Sequence, residues 1–356
     1  MSAHGHEGFV MNETSKFKKR VTIKEVAAAA GVSPMTVSNV VNGRFKFVSD
    51  ATRKVVEKEI SRLNYRVQES GRGLRVSHRR AAGILIIDET KSFLSDHFNS
   101  HVVAGLSNSL SLSGYTLTVQ GISLEHFGQS HVMHNLSVDG LYVILSGSRD
   151  KREKVIEDLR RLDQPIVLLQ ETYRPIDGNI CVIRQDDQLG GQMLADHLAA
   201  RRRERFVIIK PQTDWPAIEA RVDSFCTQIR KLNPNANISI LNSPDESFDA
   251  VQATLAEHLA NSPRPDAIFG ANDRLAIGAM LMLQSQGIAI PDEISVVGFN
   301  GFESRRYARP LITTVISPAY ALGETAGKVM IDRFIKGSFE QNEIVLPVYL
   351  EPGETT

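Results

Sequence analysis

Residues 21–42 read VTIKEVAAAAGVSPMTVSNVVN, a pattern that predicts two short helices joined by a tight turn. Thr22 is a candidate N-cap with Glu25 three residues later, which is the spacing of a capping box. Gly31 suits the left-handed end of the first helix, and Ser33 is the candidate N-cap of the second. Such a unit can place its second helix in the major groove of DNA, although an ordinary helical hairpin would show the same pattern.

The apolar residues of this stretch recur at helical spacing and predict the buried face of each helix. They are Ile23, Val26, Ala27 and Ala30 in the first helix and Val37, Val40 and Val41 in the second. A third helix is predicted over residues 51–63 after Ser49, with four inward-facing residues, Val55, Val56, Ile60 and Leu63. The three helices form a head domain over residues 21–67.

Charge is divided unevenly along the chain, although the 356 residues carry 41 basic and 41 acidic side chains. The first 80 residues hold 16 Lys and Arg against 7 Asp and Glu, a net charge of +9, which leaves −9 on the remainder. A basic module suits the neutralisation of phosphates, so the charge and the helical pattern both indicate double-stranded DNA as a partner.

The motif TIKEVAxxAGVSxxTVSxVVN at residues 22–42 resembles the start of the lactose-repressor (LacI/GalR) family of transcription regulators. The similarity continues through SxxTR at 49–53, LNY at 63–65 and the rest of the chain. It implies a helix-turn-helix head and a periplasmic-binding-protein-like body of two Rossmann-like subdomains. We therefore expect a homodimeric regulator, a repressor and not an enzyme, that binds a pseudo-palindromic operator.

From Ala82 onward, short β-rich apolar runs alternate with helical stretches, which predicts an α/β body of parallel sheets covered by helices. The runs are GILIID, YTLTVQ, GLYVIL, PIVLLQ, ICVIR, RFVIIK, ISILN, DAIFGAN and ISVVGFN, with EIVLPVYLEP as the final strand. The resemblance implies crossings between the subdomains near residues 184–187, 317–319 and 337–340.

The chain is expected to have four parts. These are a disordered tail (1–20), the head (21–67), a hinge linker (68–80) and an effector-binding and dimerisation domain (81–356). Within the last part, the N-subdomain comprises about 81–184 and 318–338, and the C-subdomain comprises about 185–317 and 339–356.

Residues 68–80, QESGRGLRVSHRR, are polar, basic and glycine-containing, as linkers are. In the family this segment forms a hinge helix on the operator and inserts a leucine into the minor groove. The matching leucine here is Leu74, and Arg72 lies beside it in the sequence. Gly71 and Gly73 each raise the free energy of a helix by roughly 1 kcal/mol relative to Ala, so we expect the hinge to become ordered only on DNA. The alternative is that Leu74 packs against the body.

The second helix of the head carries side chains that lie off its buried stripe and could contact DNA. An asparagine can pair with adenine and a methionine can contact a thymine methyl group, so the candidates for base edges are Met35, Thr36 and Asn39. The candidates for the DNA backbone are Thr22, Ser33, Ser38, Asn42 and Arg44, with Thr36 as a further possibility.

The resemblance also implies a small-molecule effector in the cleft between the two subdomains, beyond the carboxyl ends of the strands. The positions carried over from the family are Phe98, Asn99, Ser146, Gln170, Gln185, Trp215, Arg221, Asn272 and Asn300. Trp215 follows a polar loop and offers a flat stacking surface, and the Arg221 fork suits a hydroxyl or carboxylate. A helix cap is the simpler explanation for Asn272 and the neighbouring Asp273.

Asn300 is a departure from the family pattern, which usually has an aspartate after this strand. A cleft that lacks this carboxylate and keeps Arg221 favours an effector with negative charge, such as a sugar acid or sugar phosphate. A neutral sugar, a purine or another small metabolite stays open as an alternative.

Other classes of site and protein are disfavoured. Cys181 and Cys226 form no CxxC, and the chain has no GxGxxG or GxxxxGK(S/T) phosphate loop, no recognisable catalytic triad and no regular spacing of metal ligands among its histidines. We therefore expect no cofactor, no metal and no catalytic residues. No apolar run approaches the roughly 20 residues that span a bilayer, and the N-terminus lacks the apolar core of a secretory signal, which indicates a cytoplasmic protein. A secreted solute-binding protein or a sugar-modifying enzyme would show the reverse features.

Overall fold

The computed structural model describes residues 21–41, 43–63, 65, 79–89, 93–129, 138–175 and 178–356. The chain divides into two compact units, Met1–Ser77 and His78–Thr356. Several sequence predictions lie outside the described residues, namely the tail (1–20), most of the hinge with Arg72 and Leu74, and the DNA-backbone candidate Asn42.

The described residues of the first unit form three helices, α1 (Ile23–Ala30), α2 (Pro34–Val41) and α3 (Asp50–Arg62), with a short 3-10 turn at Phe45–Phe47 between the last two. The predicted capping box is confirmed. The Glu25 N–H donates to Thr22 Oγ1 at 3.3 Å, and the Thr22 N–H donates to the Glu25 carboxylate at 2.6 Å. Gly31 ends α1 with a φ of 67°, as the left-handed cap requires.

The core of the head is built from the predicted stripes and joins all three helices. Its buried members are Val26, Ala27, Val37, Val40 and Val56. The inward position predicted for Val55 is wrong, because this side chain is 47% exposed. Val55 and Val56 lie about 100° apart around a helix, so only one of them can point into a core of this size.

The second unit holds seven helices and twelve strands among the described residues. The helices are α4 (His97–Leu112), α5 (Arg149–Arg160), α6 (Asp187–Ala199), α7 (Pro216–Leu232), α8 (Phe248–Asn261), α9 (Asp273–Ser285) and α10 (Ala319–Lys336). The strands are β1 (Ala81–Ile87), β2 (Thr116–Ile122), β3 (Gly140–Leu145), β4 (Ile166–Leu169), β5 (Ile180–Gln185), β6 (Arg205–Pro211), β7 (Asn237–Ser243), β8 (Ala267–Gly270), β9 (Ser295–Asn300), β10 (Thr313–Ile316), β11 (Glu343–Leu346) and β12 (Tyr349–Glu351).

These strands form two six-stranded sheets. The first has the order β11-β5-β4-β3-β1-β2 and is parallel throughout, and the second has the order β12-β10-β9-β8-β6-β7 with only β12 antiparallel. We call the first sheet with α4, α5 and α10 the N-lobe, and the second sheet with α6, α7, α8 and α9 the C-lobe. The central strands are almost wholly buried because helices cover both faces of each sheet, whereas the edge strands β2, β7 and β11 are partly exposed.

The chain passes between the lobes three times. The crossings after β5 and after β10 lie where the sequence predicted them, but the third does not lie at residues 337–340. The predicted single strand EIVLPVYLEP is divided, since β11 pairs with β5 in the N-lobe and β12 pairs with β10 in the C-lobe. Pro347 stands between the two strands, and a proline cannot donate the hydrogen bond that would continue a ladder. β10, a four-residue strand that begins with two threonines, was not among the strands predicted from the sequence.

Apolar side chains fill both faces of the N-lobe sheet and pack around the C-lobe sheet. Both cysteines are free and buried, and burial raises the pKa of the Cys181 thiol to about 12. No helix among the described residues is long and apolar enough to cross a membrane. The same residues contain no group of three His, Cys, Asp or Glu side chains placed to hold a metal ion.

Helices α4 and α10 of the N-lobe pack backbone against backbone. A Cβ atom at Gly105 would overlap the carbonyl oxygen of Tyr320, and one at Gly323 would overlap the carbonyl oxygen of Val102. The two glycines therefore allow an approach that no larger residue permits. Since α10 starts directly after a crossing, this contact fixes the direction in which the chain re-enters the N-lobe.

We expect Gly323→Ala to lower the free energy of unfolding of the second unit by about 1–3 kcal/mol, because the added methyl group must push two helix backbones apart. Urea denaturation checks the change. Gly128→Ala is the matched control, since a Cβ there meets no atom within 4 Å. Equal stability of the two variants would contradict the packing argument.

Candidate functional site

The second helix of the head, α2, presents one apolar and several polar side chains at its surface. Met35 is 66% exposed, whereas Thr36 and Asn39 are half-buried. Ser33 caps α2, because the Thr36 N–H donates to Ser33 Oγ at 3.1 Å, and the two hydroxyl oxygens lie 2.9 Å apart. Met35 is thus the base-edge candidate that the structure leaves most accessible.

The basic side chains around the end of α2 differ in their surroundings. Arg44 and Lys46 are exposed. Arg53 instead lies 4.0 Å above the Phe45 ring and forms an ion pair of 2.7 Å with Glu57. Because this ion pair is exposed to solvent, it is weak and does not fix Arg53 in one position.

The cleft between the lobes contains a cavity, here called the inner cavity, with walls from both lobes. Its lining comprises Asp96, Phe98, Asn99, Ile144 and Gln170 of the N-lobe and Trp215, Ala217, Ile218, Arg221, Glu246, Asn272 and Asn300 of the C-lobe. Seven of the nine predicted effector residues are therefore brought together, namely Phe98, Asn99, Gln170, Trp215, Arg221, Asn272 and Asn300. Most of them follow strand ends or begin helices, as the doubly wound topology predicts.

A second cavity of about 240 Å³, the outer cavity, adjoins the first. The two share Asp96, Asn99, Trp215 and Glu246. The outer cavity is further lined by Asp88, Phe93, Ser95, Pro211, Thr213, Pro244, Asp245, Ser247 and Arg274. The cleft is therefore a two-part space with an acidic outer part.

Ser146 and Gln185 line neither cavity, so the structure does not bring them together with the other seven candidates. The Ser146 hydroxyl is fully buried and lies 2.7 Å from Asp88 Oδ1, to which it donates. Gln185 is also fully buried, and its Oε1 accepts a hydrogen bond from Ser317 Oγ at 2.6 Å. Both residues do stand at strand ends, but buried partners take up their polar groups. Ser146 thereby positions Asp88 in the outer cavity.

Asp187, the first residue of α6, is a buried residue that the sequence analysis did not select. Its carboxylate accepts hydrogen bonds from Arg221 Nε at 2.7 Å, from Gln185 Nε2 at 2.8 Å and from Gln170 Nε2 at 3.2 Å. Burial raises the pKa of Asp187, whereas the Arg221 guanidinium and the two amides act in the opposite direction. The three donors come from both lobes, so this carboxylate joins them next to the inner cavity.

Arg221 is held in place by more than its ion pair. Its Nη1 donates to the Ala271 carbonyl oxygen at 2.9 Å, and its guanidinium lies 3.9 Å from the centre of the Phe299 ring. Since Asp187 neutralises Arg221, the arginine adds no unpaired positive charge to the cleft. The sequence argument for an anionic effector is therefore not supported, because it counted Arg221 and omitted Asp96, Asp187 and Glu246.

The sequence left open whether Asn272 and Asp273 cap a helix or face the effector. The structure gives the two residues different partners. Asn272 Oδ1 caps α9 by accepting from the Leu275 N–H at 3.0 Å, and its Nδ2 donates to Glu246 Oε1 at 2.7 Å. Asp273 makes no cap but accepts from the Gly301 N–H and from Thr314 Oγ1, each at 2.6 Å. Burial raises the pKa of Asp273 to about 7.

Asn300, which lines the inner cavity, has an unusual backbone conformation. Its φ is 111°, a value that non-glycine residues rarely adopt, and Asp273 holds the following residue, Gly301. Asn300 Oδ1 is buried and has no hydrogen-bond partner among the described residues. A strained residue with an unpaired oxygen in a cavity is one that a ligand donor could satisfy.

Aromatic side chains from both lobes face the inner cavity. Phe98 lies at the start of α4, and Trp215 immediately precedes Pro216, the first residue of α7. Trp215 packs against the apolar cores of both lobes. Flat apolar surfaces beside amide and carboxylate groups suit a ring that bears hydroxyl groups, because the faces of such a ring are apolar and its edge is polar.

Comparison with known proteins gives matches to both units. Residues 22–68 match the family model "Bacterial regulatory proteins, lacI family", and residues 195–356 match that of a periplasmic binding protein-like domain. The HTH-type transcriptional repressor PurR of Aliivibrio fischeri is 30% identical over 321 residues, which are 88% of this chain and 91% of PurR. The ribose operon repressor of Escherichia coli is 27% identical over 336 residues, 93% of this chain and 99% of that protein.

A solved structure of the Lac repressor dimer bound to operator and the anti-inducer ONPF is similar over 95% of this chain and 99% of its own. The TM-score is 0.79 and the sequences are 25% identical. The similarity therefore extends over the head and both lobes.

We expect Arg221→Ala to lower the free energy of unfolding by about 3–5 kcal/mol, because it leaves the buried Asp187 carboxylate without its cation. Chemical denaturation measures the loss. Arg149→Ala is the control, since the ion pair of Arg149 with Glu153 is largely exposed and its loss should change stability little. A loss no larger than that of the control would contradict the role assigned to the Asp187 pair.

The pKa of Asp273 predicts a pH dependence of stability. This carboxyl stays protonated in the folded protein up to a pKa of about 7, whereas the unfolded chain releases the proton near the ordinary value of 3.8. The folded state thus binds more protons in that interval, and its stability falls as pH rises, by at most roughly 4 kcal/mol from this group.

Asp273→Asn should remove this fall while keeping an oxygen for the Gly301 N–H. Denaturation midpoints between about pH 5 and pH 8 test it. Asp292→Asn, at an exposed position, serves as the control and should keep the profile of the wild type. Parallel profiles for all three proteins would refute the prediction.

Proposed function

The chain belongs to the LacI family of bacterial regulatory proteins and is a DNA-binding transcription regulator, and on that premise we propose that it is a repressor whose operator affinity is controlled by a small sugar-type effector. The observation that carries the proposal is the inner cavity. Phe98 and Trp215 supply flat apolar surfaces, and the amides of Asn99 and Asn300 supply polar groups from the two lobes. This combination suits the apolar faces and hydroxyl edges of a sugar ring.

DNA binding is proposed for the head as a dimer. Each α2 would enter the major groove of one half-site, with Met35, Thr36 and Asn39 towards base edges and Arg44 towards the phosphates. The exposure of Met35 and Arg44 supports these roles. The Lac repressor forms a dimer on its operator, and a two-fold protein reads a pseudo-palindromic sequence.

Control by the effector is proposed to act through the angle between the lobes. A ligand that contacts both walls of the inner cavity favours one arrangement of the lobes, and through the dimer the spacing of the two heads changes. Such coupling is typically worth about 1–3 kcal/mol. We also propose that Leu74 and Arg72 contact the minor groove, as the family resemblance implies. Both residues lie outside the described part of the chain. The relatives are transcriptional repressors, and we propose that the cleft binds its ligand without transforming it.

The test is a thermal-shift screen of the full chain against neutral sugars, amino sugars, sugar acids, sugar phosphates and purines. A ligand at about 100 times its Kd stabilises the folded state by roughly 2.7 kcal/mol, which a shift in Tm detects. We expect a sugar to bind and to change the affinity for an operator selected from random DNA. Binding of a purine alone, or of a sugar that leaves DNA affinity unchanged, would contradict the proposal.

Asn39→Ala should weaken binding to the selected operator by about 1–3 kcal/mol and relax its sequence preference, because a base contact is lost. Fluorescence anisotropy with cognate and scrambled DNA measures both effects. Ser61→Ala, at an exposed position of α3, is the control and should bind as the wild type does. Equal losses on both DNAs would rule out a base contact by Asn39.

A further inference from the structure

The outer cavity carries an excess of negative charge. Four carboxylates line it, those of Asp88, Asp96, Asp245 and Glu246, against the single guanidinium of Arg274. Arg274 Nη1 lies 3.7 Å from Glu246 Oε2 and is 45% exposed, so it offsets one charge only weakly. At least three formal negative charges therefore remain around a space of about 240 Å³.

Two of these carboxylates come from opposite lobes and act on each other. Asp96 caps α4 in the N-lobe, and Glu246 precedes α8 in the C-lobe. Burial raises the pKa of Glu246, and the negative charge of Asp96 raises it further. Like charges on the two walls oppose closure of the cleft unless a ligand compensates them.

A buried amide marks the boundary between the two cavities. Asn99 is only 3% exposed and lines both cavities. Its Nδ2 donates to the Phe93 carbonyl oxygen at 3.0 Å, whereas its Oδ1 accepts no hydrogen bond from any described residue. This oxygen keeps access to the cavity, so a donor group of a ligand can reach it.

We propose that the effector carries a cationic amino group, as an amino sugar does, and that this group lies in the outer cavity near Asp96, Glu246 and Asn99 while the ring lies in the inner cavity. An ammonium group has three N–H donors and one positive charge, so it can satisfy Asn99 Oδ1 and both carboxylates at once. A neutral hydroxyl supplies one donor and leaves the repulsion between the lobes in place. This inference rests on the proposed function and specifies the ligand of the same cleft.

The experiment is isothermal titration of the full chain with glucosamine, galactosamine and mannosamine, each beside its neutral parent hexose and its N-acetylated form. We expect at least one amino sugar to bind at least about tenfold more tightly than both matched neutral compounds. That preference should fall by about tenfold in Glu246→Gln and in Asp96→Asn, which keep a hydrogen-bonding group of similar shape and, for Asn, the ability to cap α4. Asp249→Asn, an exposed carboxylate of α8 outside both cavities, is the control and should retain the preference.

The outcomes separate the two proposals. If a neutral hexose or an N-acetylated sugar binds as tightly as its amine, or if both cavity variants keep the preference, the cationic effector is refuted while the sugar-controlled regulator stands. If no sugar of the three classes binds, the cationic effector is refuted, and the thermal-shift screen decides whether the sugar-controlled regulator is refuted too.

Discussion

The carboxylate of Asp187 lies fully inside the protein and accepts hydrogen bonds from Gln170 and Gln185 of the N-lobe and from Arg221 of the C-lobe. A buried charge is tolerated only when it is paired and hydrogen-bonded, so these contacts must form together. They hold the first crossing of the chain against both lobes, and Arg221 extends the constraint to the carbonyl oxygen of Ala271, next to the cavity wall. The Asp187–Arg221 ion pair therefore links the first crossing to both walls of the cleft.

This ion pair also decides which charges a ligand meets. Because Arg221 is neutralised by Asp187, the carboxylates of Asp96 and Glu246 determine the electrostatic character of the cleft. Burial raises the pKa of both groups, which means that their ionised forms lack the solvation or partners they would have in water. A ligand that donates hydrogen bonds from both ends can relieve this cost and draw the lobes together. Under the proposed function, the same groups would serve both recognition and closure.

The sequence predicted those features that depend on local signals. The capping box at Thr22 and the left-handed Gly31 define α1 within a few residues, and continuous apolar runs define most strands. What it could not predict depends on contacts between distant segments. Ser146 follows a strand as expected, yet its hydroxyl is used by Asp88, and Asp187 is recognisable only once both lobes are present. The division of the last strand at Pro347 likewise reflects the pairing of its two halves with different sheets.

The measurement that tests the account most directly is the reciprocity of coupling between cleft and operator. The affinity of the protein for operator DNA is measured with and without saturating effector, and the affinity for effector is measured with and without saturating operator. We expect the two ratios to be the same and to lie between about 5-fold and 150-fold, since both ligands bias one equilibrium between lobe arrangements. Two ratios equal to one would show that the cleft and the DNA-binding head are independent, and would contradict the account.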